Sequence, residues 1–537
     1  VSQGYLALVL HAHLPYVRHP DPERPMEEAW LHQALLECYL PLLEVWERLA
    51  AEGVPFRLTL SLSPTLLEML DDPLLKERFR RYLESRLELA EREVWRTRDD
   101  PFHPAACLYR ERFGRAWELY TERCRGDLVA PLAQLEAAGH LELLTCPATH
   151  GYLPLLAAAP SAVRAQIRVG AGTFARHLGH RPPGLWLPEC AYHAGCDGEL
   201  AAAGLGYFFV DAHGLVCARP RPRYATFAPV RCPSGVACLA RDLESSLEVW
   251  SARSGYPADP EYREFYRDIG WDLPLEYVGP YVHESGQRMF TGFKYYRLTG
   301  PTDHKEPYRP WVARHRLREH AESFVANRRR QVEALYARMQ RPPILVAAYD
   351  AELFGHWWFE GPQWLEQVLR LLAFGEPVAS ATPSDYLQRH PELQTAQPNP
   401  SSWGYRGFHE LWLNEKTDWI YRHLLAAARN MEELAARFVA PSALERRALN
   451  QAGRELLLAQ ASDWPFMIRS GSHGEYAWNR VRGHLVSFFR LYQDLLEGQV
   501  DPSALAALEA RHPLFPDLDY TLWRQGAPWP AGEVPLP

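Results

Sequence analysis

At 537 residues, with hydrophobic residues at 47% and charged residues at 23%, the chain is a folded protein too long for one small core. Its net charge of −8 leaves no basic footprint and excludes the nucleic-acid binders. No apolar run reaches the length of a bilayer-spanning helix, and residues 1–15 lack the basic and apolar regions of a secretory signal, so no membrane partner and a cytoplasmic location are expected.

Strand-like runs separated by helical stretches begin at Tyr5–Leu10 and Phe56–Leu62. Residues 72–135 follow, rich in Leu, Glu, Arg and Ala at helical spacing; they exceed an ordinary crossover and predict a helical insertion. Further strands are predicted at Leu141–Cys146, Leu185–Pro188, Tyr207–Val210 and Ile344–Tyr349. Strands alternating with helices predict a parallel α/β architecture, and their number favours a barrel over an open sheet. Linker composition near Gln394–Ser402 separates a domain of residues 1–400 from a helical C-terminal domain, 401–537, with helices over Leu424–Phe438 and Pro441–Ala461. The nine Cys are scattered without CxxC spacing, which reads as reduced thiols and no structural metal.

Two carboxylates close apolar strands: Glu189 after Leu185-Trp186-Leu187-Pro188, and Asp350 after Ile344–Tyr349. Barrel enzymes place working groups at the C-terminal ends of strands, and a carboxylate pair is what glycoside chemistry needs. Taken singly, either acid is equally well a cap for the next helix. His11-Ala12-His13 ends the first strand, so strand alternation points both imidazoles the same way; His150 in Thr149-His150-Gly151-Tyr152 adds a third. Such histidines bind a metal, bond sugar hydroxyls or sit satisfied in a core. With His213 and Asp350 they also fit a metal-dependent amidohydrolase, which leaves Glu189 and the Trp clusters without a role. In the glycosidase reading, positive or hydrogen-bonding groups such as His11, His13 and Arg241 keep one carboxylate ionised. Burial among Tyr349, Phe354, Trp357 and Trp358 keeps the other protonated. Asp463 in Ser462-Asp463-Trp464-Pro465 is an N-cap or a substrate contact. Trp403 and Trp412 are stacking platforms if exposed and a domain seam if buried.

The segments Leu10-His11-Ala12-His13-Leu14-Pro15-Tyr16, Ala148-Thr149-His150-Gly151-Tyr152, Trp186-Leu187-Pro188-Glu189, Tyr349–Trp358 and Ala461-Ser462-Asp463-Trp464-Pro465 together resemble glycoside hydrolase family 57 over nearly the whole chain. Gly255-Tyr256-Pro257, Tyr262–Phe265 and Gly292–Tyr296 are most similar to its 1,4-α-glucan branching enzymes. The resemblance implies an incomplete (β/α)7 barrel with a helical insertion and an α-helical C-terminal domain closing the cleft. It implies retaining chemistry without cofactor or metal, with Glu189 as nucleophile and Asp350 as general acid/base. His11, His13, His150, Trp271, Trp403, Trp412 and Asp463 would line the subsites, with an α-glucan as partner and a monomer or small homo-oligomer as the working form. Branching members resemble one another in a loop after the fifth strand that carries a Tyr over the site; Tyr224 is the only Tyr between residues 208 and 255 and suits that lid. Its setting departs from the pattern in being basic, with Arg219, Arg221 and Arg223. A short or misdirected lid lets hydrolysis gain on transfer. An α-amylase or 4-α-glucanotransferase of the same family is the alternative.

Overall fold

The computed structural model describes residues 2–20, 25–251 and 253–524. Its strands are β1 (Gly4–Ala12), β2 (Leu58–Leu62), β3 (Leu141–Thr145), β4 (Gly184–Leu185), β5 (Tyr207–Val210), β6 (Val230–Arg231), β7 (Ala237–Ala240), β8 (Ile344–Asp350), β9 (Val378–Ser380) and β10 (Gln394–Thr395). They run in the order β10-β6-β7-β5-β4-β3-β2-β1-β8, with β9 on the side of β1. From β7 to β8 every neighbouring pair is parallel, giving a seven-stranded parallel row that stays open among the described residues. β6 pairs antiparallel with β7. The family 57 expectation of an incomplete (β/α)7 barrel matches this arrangement.

Strand alternation divides the core in two. Ala7, Val9, Leu144, Trp186, Phe209, Leu239, Val346 and Ala348 fill the concave side. Leu6, Leu8, Leu10, Leu345, Ala347 and Tyr349 face the surrounding helices. Strands buried on both faces read as continuous apolar runs, which is why β1 and β8 were visible in the sequence. The same alternation carries the inner row to its chemical end: His11 continues Ala7 and Val9, and Asp350 continues Val346 and Ala348. Register places His11 opposite Ser61 of β2 and Asp350 of β8, so three polar residues from neighbouring strands share one inward row.

Between β2 and β3 lie the helices Pro73–Arg96, His103–Trp117 and Val129–Ala137. They carry the irregular segment 253–309 on their side: Arg86 donates to the carbonyls of Thr291 and Tyr281, and the Tyr277 and Tyr295 hydroxyls donate to Glu93. The helices Asp418–Arg437, Ala443–Ala459, Asp463–Ser470, Gly474–Glu497 and Pro502–Arg511 follow the last strand. They meet the barrel through Thr149 Oγ1, which bonds the Leu457 carbonyl, and through the Ser462 amide, which donates to the His150 carbonyl at 3.1 Å. Residues 525–537 of the expected C-terminal domain lie outside the described residues.

Candidate active site

A cavity of about 700 Å³ opens at the C-terminal ends of the strands, with Glu189, Asp350, His11, His13, His150 and Asp463 among its lining. Glu189 does not prolong β4 as a strand. The chain turns at Pro188–Cys190, and Glu189 and Cys190 hold φ of 60° and 49° in the left-handed region. Two such residues in succession cost on the order of 1–3 kcal/mol each and persist only where their surroundings fix them. Here the Trp403 amide donates to the Glu189 carbonyl at 3.0 Å, and the Cys190 amide to that of Leu187 at 2.9 Å. The carboxylate is held as firmly: Trp403 Nε1 donates to Oε2 at 2.7 Å and Ser462 Oγ to Oε1 at 3.1 Å.

Burial pushes the Glu189 carboxyl up to about 7, helped by the nearby charge of Asp463 and opposed by the Trp403 and Ser462 donors. Burial, and then the like charges of Glu352 and Glu189, hold Asp350 well above the usual carboxylate range; Arg241 works against them. Arg241 lies 3.3 Å from Asp211 and 5.1 Å over the Trp403 ring. It thus serves Asp350 and the Trp403 platform rather than binding Glu189. Burial is the larger cause of the protonating environment of Asp350, and the neighbouring acids, to which the sequence assigned no part, add to it. Tyr349 faces the opposite side of the sheet, and its hydroxyl donates to the Ser245 carbonyl.

His11, His13 and His150 form a triangle of nearly parallel rings, with the centres of His13 and His150 only 4.0 Å apart, His11 and His150 5.1 Å apart, and His11 lying 4.9 Å over Trp186. Burial holds His11 and His150 well below the ordinary imidazole range, reinforced by the charge of His13. Burial also opposes protonation of His13, but Asp463, 3.1 Å from its Nε2, overcomes this and raises it. His13, His150 and Asp463 bring metal-ligand atoms within 4.8 Å of one another. Both nitrogens of His150 are already engaged, by His11 and Ser462. Asp463 is the first residue of its helix rather than its N-cap.

Residues 7–397 match the family described as glycosyl hydrolase family 57, and residues 423–523 match the C-terminal domain described for 1,4-alpha-glucan branching enzymes. The chain belongs to glycosyl hydrolase family 57. It is 35% identical to the 1,4-alpha-glucan branching enzyme TK1436 of Thermococcus kodakarensis, over 95% of this chain and 77% of that one. The crystal structure of that enzyme aligns with a TM-score of 0.89 at 34% identity, covering 98% of this chain and 97% of the other. The structure named as the alpha-amylase AmyC of Thermotoga maritima aligns with a TM-score of 0.92 at 40% identity, covering 98% and 99%.

Within this family 57 cleft the expected aromatic residues divide. Trp403 lines the cavity, as do Trp271 and Trp357, which remain 46% and 53% exposed. Trp412 corrects the expectation of a platform: it is buried, stacked 4.4 Å from Tyr152, and forms the seam. Tyr224 is a second correction. After β5 the chain pairs Arg219 with Gln397, Arg223 donates to Gln394, and the Ile344 amide bonds the Phe227 carbonyl at the start of β8. Tyr224 therefore sits against Arg223 and Arg341 at the N-terminal end of the strands, opposite the cleft. His213, needed by the amidohydrolase alternative, is tied to the Gly407 carbonyl at 2.9 Å, and that alternative gives way to family 57.

The site also contains residues to which the sequence assigned no role. Glu352 accepts from the His13 amide at 3.1 Å and from the Tyr39 hydroxyl, and burial pushes it up to about 7. Its place two residues after Asp350 was the available signal. Ser462, beside Asp463, touches Glu189. Trp250, Phe265, Tyr266 and Phe290 complete the aromatic wall.

Proposed function

We propose that this family 57 chain is a 1,4-α-glucan branching enzyme working by double displacement. The observation that carries the reading is the unequal environment of two carboxyls in one cleft. Glu189 receives two hydrogen bonds that favour its charged form, whereas Asp350 faces two like charges that favour its proton. Glu189 attacks the anomeric carbon of an α-1,4 link while Asp350 gives its proton to the departing oxygen. The glycosyl–Glu189 ester is then attacked by the 6-hydroxyl of an acceptor chain, whose proton returns to Asp350, closing an α-1,6 branch with net retention. His13, Asp463, Trp271, Trp357 and Trp403 hold the glucan, and residues from 401 onward complete the cleft of the barrel, residues 1–400. The chain acts as a monomer or small homo-oligomer. All nine cysteines are unpaired, which supports a reducing, cytoplasmic setting. No helix among the described residues is long and apolar enough to cross a membrane.

A second reading, an α-amylase of the same family, is favoured by the displacement of Tyr224 from the cleft. It leaves shielding of the ester from water to the aromatic wall. Proton NMR of amylose treated with the enzyme separates the two. New α-1,6 anomeric signals with few new reducing ends support branching, and reducing ends without branches support the amylase. Glu189→Gln should abolish both signals, by at least about 10³-fold, with the fold intact.

A further inference from the structure

Four hydrogen bonds run in series beneath Glu189. Ser61 Oγ lies 3.0 Å from His11 Nδ1, His11 Nε2 lies 3.0 Å from His150 Nε2, His150 Nδ1 lies 2.7 Å from Ser462 Oγ, and Ser462 Oγ lies 3.1 Å from Glu189 Oε1. Every member is buried or lies against the cleft floor, and Ser61 is fully buried. The direction of each proton follows from the last link. An ionised carboxylate only accepts, so Ser462 donates to it and must accept from His150 Nδ1–H. A neutral imidazole carries one N–H, so His150 Nε2 is a lone pair and accepts from His11 Nε2–H. His11 Nδ1 is then the acceptor for the Ser61 hydroxyl. Each donor and each acceptor in the series is used once.

We propose that Ser61, His11, His150 and Ser462 form a one-way donor chain ending on Glu189, and that Ser61 is a positioning residue for the nucleophile. The proposal rests on the reading of Glu189 as nucleophile. The chain begins at a serine hydroxyl, which has no proton to give at neutral pH, so it stabilises the Glu189 carboxylate without being able to protonate it. A proton arriving at Oε1 from the cleft meets the Ser462 hydroxyl and forces the whole series to reverse, which requires both imidazoles to change tautomer. His11 is clamped by Ser61 below and by Trp186 on its face. The proton missing from His11 and His150 fits their burial and the nearby His13, whose protonation Asp463 favours. The other titratable groups facing the series are Asp463, Asp350, Glu352 and Arg241, as their effects on Glu189, His13 and Asp350 show. The assignment also narrows the roles expected of His11 and His150. Their ring nitrogens are committed inside the protein, and His13 Nε2 is held by Asp463 at 3.1 Å, so Asp463 rather than an imidazole nitrogen is the polar end of this row toward the cleft.

Ser61→Ala leaves His11 Nδ1 without a donor and frees both rings to turn over, so Ser462 can release Glu189. The acid limb of kcat/KM should then move up by about one pH unit, a loss of about tenfold at pH 6, with KM little changed and with Ser61→Thr close to the parent. The second readout needs no turnover. In ¹⁵N NMR of the histidine-labelled protein at pH ~8, where Glu189 is ionised, Nε2 of His11 and Nδ1 of His150 should carry the protons, and Ser61→Ala should mix the tautomers. An unmoved acid limb in Ser61→Ala, or protons on the opposite nitrogens, overturns the chain. If amylose instead gains no branches while the tautomers are as stated, the branching reading fails and the chain stands.

Discussion

Asp350 lies in a cluster of acids whose proton count is set by their neighbours. Glu352, two residues on, is kept beside it by the His13 amide and the Tyr39 hydroxyl. Its charge is, after burial, the first influence raising Asp350. In the role of general acid proposed for Asp350, a raised carboxyl that keeps its proton extends activity toward alkaline pH. Glu352→Gln removes the charge and keeps an oxygen for both donors. The alkaline limb of kcat/KM should therefore fall by about one pH unit, with the rate near pH 6 within about threefold of the parent. A pH profile on amylose checks this; an unmoved limb would mean that burial alone holds the Asp350 proton.

The aromatic wall shows which elements the sequence revealed and which it hid. Tyr207–Val210 is legible at its observed bounds, and Ile344–Tyr349 to within one residue of β8, because strands buried on both faces are continuous apolar runs. The same-face pair His11 and His13 follows from alternation alone. β7, with only Ala-Cys-Leu-Ala, has too little apolar bulk to stand out. Segment 253–309 has no periodicity because its order comes from distant partners on the helical insertion, such as Glu93 and Arg86. Tyr224 was misplaced for the same reason: pairing with residues some 170 positions later turns its segment away from the cleft. Within 253–309, Lys294 Nζ has no hydrogen-bond partner among the described residues and lies 3.9 Å from the Phe265 ring centre and 4.1 Å from that of Phe290. Phe265 in turn stacks 4.3 Å from Trp357, and Phe290 packs 4.7 Å from Trp271. One desolvated ammonium thus pins both halves of the wall, an interaction of about 2 kcal/mol. Lys294→Met should raise KM for amylose about three- to tenfold and leave kcat within about twofold, measured by steady-state kinetics. An unchanged KM would show that the wall stands without the pin.

The fold distributes its buried acids so that they oppose one another in pH. Between the helices Ala443–Ala459 and Gly474–Glu497, Glu455 is fully buried and accepts from His484 Nδ1 and His512 Nδ1, both at 2.7 Å. Burial alone would raise its carboxyl, but the two imidazoles hold it below the usual range. Glu37, bonded to His356 at 2.7 Å, is likewise lowered to about 2 despite its burial. For these two acids the unfolded chain takes up protons first, so their stabilisation is present above about 4.5 and is lost as pH falls below it. Glu189 and Glu352, raised from 4.5 to about 7, have the opposite sign. The folded state keeps protons that the unfolded chain has released, so the contribution of these two acids declines as pH climbs from 4.5 to 7, and that of the raised His13 declines at higher pH. The lowered imidazoles of His11 and His150 act the other way, because the unfolded chain protonates them first as pH falls below about 6.5. Glu455→Gln separates the two groups, because its amide turns a donor toward one of two imidazole N–H donors and leaves that contact unsatisfied. The variant should lose about 2–4 kcal/mol near pH ~7 and show a shallower acid limb below pH ~4.5. Calorimetry from pH ~3.5 to ~8 reads both features, and an acid limb as steep as the parent's would remove Glu455 from the account.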